Sequence, residues 1–106
     1  MLNIEEFKKL QIIIAQIKEV KNHPHADKLY VLKVDTGEGE KQLVAGIRAS
    51  YTKEDLVGRL IVVVNNLECA VIRGEKSEGM LLAASDEKGI SILVPHRDVK
   101  PGSIVK

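Results

Sequence analysis

Histidine and carboxylate side chains in one short segment could ligate a metal ion. His23, His25 and Asp27 occur at alternate positions, and two imidazoles with a carboxylate can bind Zn²⁺. A catalytic zinc site needs three good protein ligands and a water molecule, and the positive charge of Lys28 beside this set opposes metal binding. The alternative is a polar turn in which Pro24 fixes φ and Asp27 hydrogen-bonds the loop backbone. The ligand count favours the turn, so we predict no metal site.

Side chains for covalent or acid–base catalysis form no recognisable pattern. Cys69 is the only cysteine and has no histidine near it in the sequence, so burial or loop packing is favoured over nucleophilic catalysis. The three histidines, two of which share one turn, provide no candidate Ser-His-Asp set. We therefore predict a protein that is not an enzyme and uses no cofactor.

Residues suited to nucleic-acid binding lie between residues 65 and 79. Arginine offers a planar fork that matches phosphate, and lysine offers a flexible point charge; asparagine and serine can donate to phosphate, ribose or a base edge. The residues of these types are Asn65, Asn66, Arg73, Lys76 and Ser77. Further cations that could extend the patch are Lys28, Lys33, Arg48 and Arg59. The alternative is a solvated loop of mixed charge, which composition alone slightly favours because Glu68, Glu75 and Glu78 alternate with the cations.

Length and net charge limit the number of domains and the way in which a partner could be bound. The 106 residues include 16 Lys and Arg against 15 Asp and Glu, a formal charge of +1, so any polyanion must be held by a local patch. This length allows one domain and excludes a two-domain enzyme. The longest apolar run, 60–64, is far shorter than a membrane span. A single cysteine fits a reducing compartment, and we expect a cytoplasmic protein.

Aromatic side chains are scarce, and only Phe7, Tyr30 and Tyr51 are present. Proteins that bind single strands stack the bases on aromatic rings, so a stacking platform is barely possible here. We expect any bound RNA to be recognised by its backbone and shape, as folded RNA is.

Short runs rich in valine and isoleucine, separated by turn residues, predict several strands. The predicted strands are 12–17 (continuing towards residue 20), 28–35, 42–47, 60–64 and 80–84, followed by tail strands at 90–94 and 104–105. A capping box of Asn3 and Glu6 predicts a short helix over 3–10, with Ile4 and Phe7 on its buried side. A second helical turn is predicted over 51–58, between the third and fourth strands, and residues 65–79 are predicted to be a long irregular loop.

This order of elements is that of the OB-fold, an all-β, five-stranded Greek-key barrel. We predict one domain over 1–106, with the barrel at about 11–86 and a C-terminal β extension at about 89–106. Oligonucleotides on this fold usually lie across strands two and three, between the loop that joins strands one and two and the loop that joins strands four and five. These loops are residues 21–27 and 65–79 here.

The apolar C-terminal tail has two interpretations, because a small barrel has no obvious interior left for it. The tail could cap the barrel of its own chain or pair with a twofold copy. Exposed apolar surface usually marks an interface, and symmetric dimers are the commonest assemblies. The residues predicted for a homodimer interface are Ile90, Ile92, Val94 and Ile104.

Several ordered motifs resemble those of the structure-specific tRNA-binding OB domain, and they cover nearly the whole chain. They are His23-Pro24-x-Ala26-Asp27-Lys28-Leu29-Tyr30, Val44-Ala45-Gly46-Ile47-Arg48, Glu54-Asp55-Leu56-Val57-Gly58-Arg59, Asn66-Leu67, Arg73-Gly74 and Ser77-x-Gly79-Met80-Leu81-Leu82-Ala83-Ala84. This family includes stand-alone tRNA-binding proteins, the C-terminal domain or separate β subunit of methionyl-tRNA synthetases, and a secretion-chaperone branch.

The resemblance implies a non-catalytic homodimer that binds the outer corner of tRNA, either free or assisting a methionyl-tRNA synthetase. It places Asn66, Arg73, Ser77, Gly79 and Met80 in the RNA-binding region, with basic residues of the second and third strands nearby. Combining this with the residue types, we predict that Arg73 and Lys76 contact phosphates, that Asn66 and Ser77 donate hydrogen bonds, and that Met80 packs under the RNA or holds the loop. The predicted RNA-binding residues are Lys28, Lys33, Arg48, Asn66, Arg73, Lys76, Ser77, Gly79 and Met80. The strands after the barrel are implied to form the dimer interface.

The chain departs from the family pattern at positions that usually carry positive charge. Ile13 stands where the family has an arginine, Glu68 replaces a lysine, and Ala70 and Val71 replace further basic residues. These changes should weaken the attraction for phosphate. They motivate an alternative function, a protein-binding or secretion-chaperone-like dimer on the same fold.

Overall fold

The computed structural model describes residues 1–106 and contains two single-turn helices and ten strands. The helices are α1 (Ile4–Phe7) and α2 (Lys53–Leu56), and no helix is long or apolar enough to cross a membrane. The strands are β1 (Ile12–Asn22), β2 (Tyr30–Asp35), β3 (Glu40–Ala45), β4 (Leu60–Val64), β5 (Ala70–Ile72), β6 (Glu75–Ser77), β7 (Met80–Leu81), β8 (Ala83–Asp86), β9 (Gly89–Ile92) and β10 (Ile104–Val105).

The long strand β1 is the centre of the barrel. Its first half pairs with β4 and its second half pairs with β2, and Gln16 is the residue shared by both ladders. A register shift between Ile17 and Glu19 lies where the pairing of β1 changes from β4 to β2. Such a bulge bends a strand. The antiparallel order β3-β2-β1-β4-β7 forms a nearly closed sheet. The predicted all-β, OB-like fold is therefore confirmed.

Apolar side chains from the strands fill the barrel. A cluster of 14 buried residues includes Ile17, Leu32 and Ile61, all completely buried. Leu56 of α2 belongs to the same cluster. Burial of one such side chain contributes about 1.5–3 kcal/mol, so the loops at the rim are attached to a well-packed support.

Both short helices begin with a capping box. The Asn3 side chain accepts a hydrogen bond from the Glu6 backbone N–H at 2.9 Å, and Thr52 accepts from the Asp55 backbone N–H at 3.2 Å. Gly58, which follows α2, has a φ of 87°, a conformation that glycine adopts without strain. The predicted helix starts and the end of α2 are therefore confirmed.

The predicted burial of the apolar side of α1 is wrong within the single chain. Ile4 is 61% exposed and Phe7 is 38% exposed. The reason is that the outer face of β1 and β4 is covered by the C-terminal tail, through Val99 and Val105, rather than by α1.

Several predicted strand ends differ by one or two residues, such as the end of β3 at Ala45 instead of residue 47, and two differences are larger. Residues 65–79 are not wholly irregular, because they contain the β5–β6 hairpin. The predicted fifth strand divides at Leu82, whose N–H donates to Val62 O (2.9 Å) and whose carbonyl accepts from Leu93 N–H (3.0 Å). The chain changes partner at this residue, so β7 stays in the barrel while β8 pairs with β9.

The tail is fixed to the barrel at its end. β10 pairs with the start of β1, and the turn before β10 packs closely on the turn after β2. A Cβ atom at Gly102 would lie 2.9 Å from the Thr36 carbonyl oxygen, and Gly102 has a φ of +92°. Only glycine fits this contact without strain.

Candidate nucleic-acid interface

The β5–β6 hairpin presents the charged residues of the segment that was predicted to bind nucleic acid. Its two-residue turn consists of Arg73 and Gly74, with φ values of 54° and 92°, the pattern of a type I′ turn. Strand alternation then places Val71 and Lys76 on the outer face and Glu75 and Ser77 on the inner face. Lys76 is accordingly exposed while Ser77 is buried.

Ser77 joins the hairpin to the barrel. Its hydroxyl oxygen accepts from the Val44 backbone N–H at 3.0 Å, and its proton is donated to the Gly79 carbonyl oxygen at 3.0 Å. Ser77 is only 5% exposed. A serine hydroxyl has a single proton, so the expectation that Ser77 donates to RNA must be corrected: it completes the contact between β3 and the hairpin.

Two carboxylates of the hairpin segment also face the barrel. The side-chain amide of Gln42 donates to Glu75 Oε1 (3.4 Å) and to the Lys76 carbonyl (2.9 Å). The Gln42 backbone N–H donates to Glu78 Oε1 at 3.0 Å, and the Glu78 N–H donates to the Gln42 carbonyl at 2.8 Å. These bonds direct Glu75 and Glu78 toward β3. The outer face is therefore more cationic than the alternating sequence indicates.

Gly79 has a packing role, and Met80 remains available for contact. A Cβ atom at Gly79 would lie 3.0 Å from the Val64 carbonyl oxygen and 3.2 Å from a methyl group of Leu43. Gly79 thus permits a close approach between the chain and the barrel wall. Met80, which pairs with Val64 in the ladder, is 50% exposed.

Asn66 is bonded to the segment that leads into β1. Its Oδ1 accepts from the Gln11 N–H at 2.7 Å, and its Nδ2 donates to the Lys9 carbonyl at 2.7 Å. The amide holds the segment before β1 and leaves one Nδ2 proton of the exposed side chain unused, so its donation to RNA stays a prediction.

His23 is a buried residue whose function the sequence did not reveal. The His25 N–H donates to its Nδ1 at 3.0 Å, so Nε2 carries the proton and donates to the Ile72 carbonyl at 3.0 Å. Arg73 adds a second link, because its Nη2 donates to the His25 carbonyl at 3.1 Å. The β1–β2 loop and the hairpin tip are therefore bonded together, and Arg73 is held in one orientation with further donors available.

The same bonds explain why residues 23–27, the candidate metal site of the sequence, form a turn instead. Both ring nitrogens of His23 are occupied by groups of its own chain, which leaves no lone pair for a metal ion. No group of three metal-binding side chains is present. The expected bond from Asp27 to the loop backbone is not formed, and His23 supplies the stabilising bonds instead.

The cations of the neighbouring strands differ in how they are held. Lys28 is exposed, and its carbonyl accepts from the backbone N–H of the half-buried Arg48 at 3.4 Å. Lys33 on β2 lies 3.8 Å from Glu19 and has a half-exposed side chain. An exposed ion pair of this kind contributes about 0–1 kcal/mol, so Lys33 could exchange Glu19 for a phosphate at little cost.

The predicted interface residues of the tail occupy different environments. Ile104 is 73% exposed and Val94 is 46% exposed, whereas Ile90 is partly buried against the core. Ile92 is 7% exposed and lies in the core of its own chain, where its N–H donates to the Tyr51 hydroxyl at 3.0 Å. Ile92 must therefore be removed from the predicted dimer interface.

Comparison with known proteins identifies the family of this chain. A family described as "Putative tRNA binding domain" matches residues 12–104. The chain belongs to this family. The match spans the barrel, the hairpin and the tail, so it covers every residue of the interface described above.

Relatives and solved structures agree with that assignment. A methionine–tRNA ligase of Thermococcus onnurineus is 45% identical over 105 residues, covering 99% of this chain and 14% of the ligase. The chain thus spans about one seventh of the length of this relative. A MetRS-related protein from Pyrococcus horikoshii has a TM-score of 0.93 at 30% identity, covering 100% of this chain and 98% of that one. The chaperone CsaA from Bacillus anthracis has a TM-score of 0.90 at 30% identity, covering 100% and 99%.

Proposed function

We propose that this tRNA-binding domain binds folded tRNA through the outer face of the β5–β6 hairpin and the neighbouring cations. Arg73 and Lys76 contact phosphates, Lys28 and Lys33 extend the contact along the β1–β2 loop and β2, and Met80 packs against the RNA. Arg48, half-buried beside Lys28, adds positive charge to this region. The domain catalyses no reaction itself.

The observation that carries this proposal is the separation of charge across the hairpin. Glu75 and Glu78 are bonded to Gln42 on the inner side, while Lys76 is exposed on the outer side. Arg73 is pre-oriented by its bond to His25, which lowers the entropy lost when it binds phosphate. Family membership and the similarity to methionine–tRNA ligases support tRNA as the polyanion.

The test removes the two phosphate-binding cations and keeps the hairpin turn, although the bond from Arg73 to the His25 carbonyl is lost. Arg73→Asn retains a residue that tolerates a positive φ, and Lys76→Gln retains an exposed polar side chain. The double variant should bind tRNA about 10–100-fold more weakly, and the slope of log affinity against log salt should fall by about 2.

The matched control changes one lysine and one arginine elsewhere, on the β8–β9 turn and in the tail. Lys88→Gln with Arg97→Asn should leave the affinity within about twofold of the unchanged chain. Equal tRNA affinity in the Arg73/Lys76 variant and the unchanged chain would refute this assignment, provided that both have the same urea midpoint.

We further propose that the domain acts as a homodimer in the cytoplasm and assists a methionyl-tRNA synthetase. An interface between two copies is supported by the exposed apolar residues Val94 and Ile104, together with Ile4 and Phe7 of α1. The exposed part of Ile90 belongs to the same proposed interface. Sedimentation at micromolar concentration would measure a mass of two chains, and a single-chain mass would contradict the dimer.

A protein-binding function on the same fold is the second candidate. The similarity to the chaperone CsaA favours it, as do the exposed uncharged residues of β5. Absence of co-purified nucleic acid after low-salt purification would favour this candidate over tRNA binding.

A further inference from the structure

Strand β5 has an open edge without charged side chains. Residues 69–72 are Cys-Ala-Val-Ile, with no charge and no proline. Cys69 and Ala70 are exposed, and Val71 is 69% exposed. Proteins commonly protect an exposed edge strand by keeping it short or by adding lysine, proline or a bulge; β5 has only three residues but no lysine, proline or bulge.

The backbone of β5 has groups that point away from its only partner. A two-residue turn makes Ile72 and Glu75 the hydrogen-bonded pair of the hairpin, so the next pair, Val71 and Lys76, points its N–H and C=O groups outward. The bond from the Gln42 amide to the Lys76 carbonyl at 2.9 Å independently supports this alternation. On the opposite side of the hairpin, no loop backbone or side-chain group bonds to Val71.

The C-terminal end of β5 is held in place, so the strand can serve as a template on which another strand pairs. The Ile72 carbonyl also accepts from His23 Nε2, and Arg73 is bonded to the His25 carbonyl. An incoming strand would therefore meet a pre-formed surface and would not need to order the hairpin first.

We propose that β5 binds an extended protein segment, which adds as an antiparallel third strand beside Val71. Antiparallel pairing lets one residue of the segment exchange both backbone hydrogen bonds with Val71, and side-chain contact with the exposed Val71 and Ala70 favours small apolar residues. This inference does not rest on tRNA binding.

The charges at the two ends of β5 define the segment further. Glu68 precedes the strand and Arg73 follows it, so a complementary antiparallel segment has an acidic residue at its N-terminal end and a basic residue at its C-terminal end. Strand β5 itself covers only residues 70–72, and the charged residues flank it, so a segment that also reaches both charges has about six residues. A protein segment is favoured over RNA here because Glu68 repels phosphate and residues 69–72 offer no cation.

The experiment uses the full chain, labelled with ¹⁵N, and a defined probe. The probe is the capped hexapeptide Asp-Thr-Val-Thr-Val-Lys, and the control peptide exchanges its terminal charges. The probe should shift the Val71 amide resonance and slow its hydrogen exchange, whereas the control peptide should bind more weakly.

Two variants isolate the backbone contact. Val71→Pro removes an N–H that the hairpin does not use, so the fold should persist while probe affinity falls about tenfold. Val71→Thr keeps the N–H and should bind like the unchanged chain. Equal urea midpoints and equal tRNA affinities for the three chains separate this test from that of tRNA binding.

Three results would overturn the inference. The first is an unshifted Val71 amide at millimolar probe, and the second is probe binding that Val71→Pro does not reduce. The third is occupation of the edge by something else: tRNA that protects the Val71 amide and is lost in Val71→Pro, or a dimer that this substitution converts to single chains.

Discussion

Ser77→Ala should reduce stability far more than it reduces affinity for tRNA. The substitution removes the acceptor of the Val44 N–H and the donor to the Gly79 carbonyl, both at 3.0 Å. Ser77 is 5% exposed, so water has little access to the groups left behind. The Val44 N–H then loses its partner at the contact between β3 and the hairpin.

The size of the effect follows from the cost of an unpaired buried donor, about 1–3 kcal/mol. We expect the free energy of unfolding to fall by this amount in urea titrations at neutral pH. For a domain of this length the corresponding decrease in Tm is roughly 5–20 °C. The affinity of the folded fraction for tRNA should stay within about twofold, because Ser77 offers no free proton to the RNA.

Ser91→Ala is the matched control, since Ser91 is exposed on β9 and should change stability by no more than about 0.5 kcal/mol. Unchanged stability of Ser77→Ala, combined with a tenfold loss of tRNA affinity, would refute the reasoning and return Ser77 to the RNA-binding residues.

Three further substitutions test other contacts. Asn66→Ala should lower the free energy of unfolding by about 1 kcal/mol and speed amide exchange at Gln11. Unchanged exchange would show that Asn66 does not hold the segment before β1. Gly102→Ala should destabilise the chain, measured by urea titration, by more than the roughly 1–2 kcal/mol of a positive φ, because its Cβ atom would also crowd the Thr36 carbonyl oxygen; an unchanged midpoint would show that the tail turn relaxes freely. Glu68→Lys should strengthen tRNA binding several-fold and raise the salt slope by about 1, and an unchanged slope would place residue 68 away from the RNA.

Local sequence signals predicted the features that depend on neighbouring residues. Capping boxes specify contacts three residues apart, so the starts of both helices could be found from Asn3 and Thr52. The continuous apolar run of β4 and the order of the strands indicated the barrel.

Features that depend on distant residues could not be predicted in this way. The roles of Ser77 and Asn66 are set by Val44 and Gln11, which lie 33 and 55 residues away. The Arg73-Gly74 turn was missed because arginine is an unusual residue at a positive φ, although a glycine between two short apolar or polar runs is a hairpin signal. Burial of Ile4 failed as a prediction because the tail, and not α1, covers the nearby sheet.

The contact between β3 and the hairpin consists of side-chain bonds and one backbone bond, rather than a continuous ladder. Segments with few backbone links to the core open at a lower free energy than the core itself. Hydrogen exchange should therefore divide the molecule into two cooperative units, with residues 66–78 opening while β1, β2 and β4 remain closed. Such independence means that the outer positions of the hairpin can acquire new residues, and so new partners, as long as the inward-facing contacts that hold it to the barrel are kept.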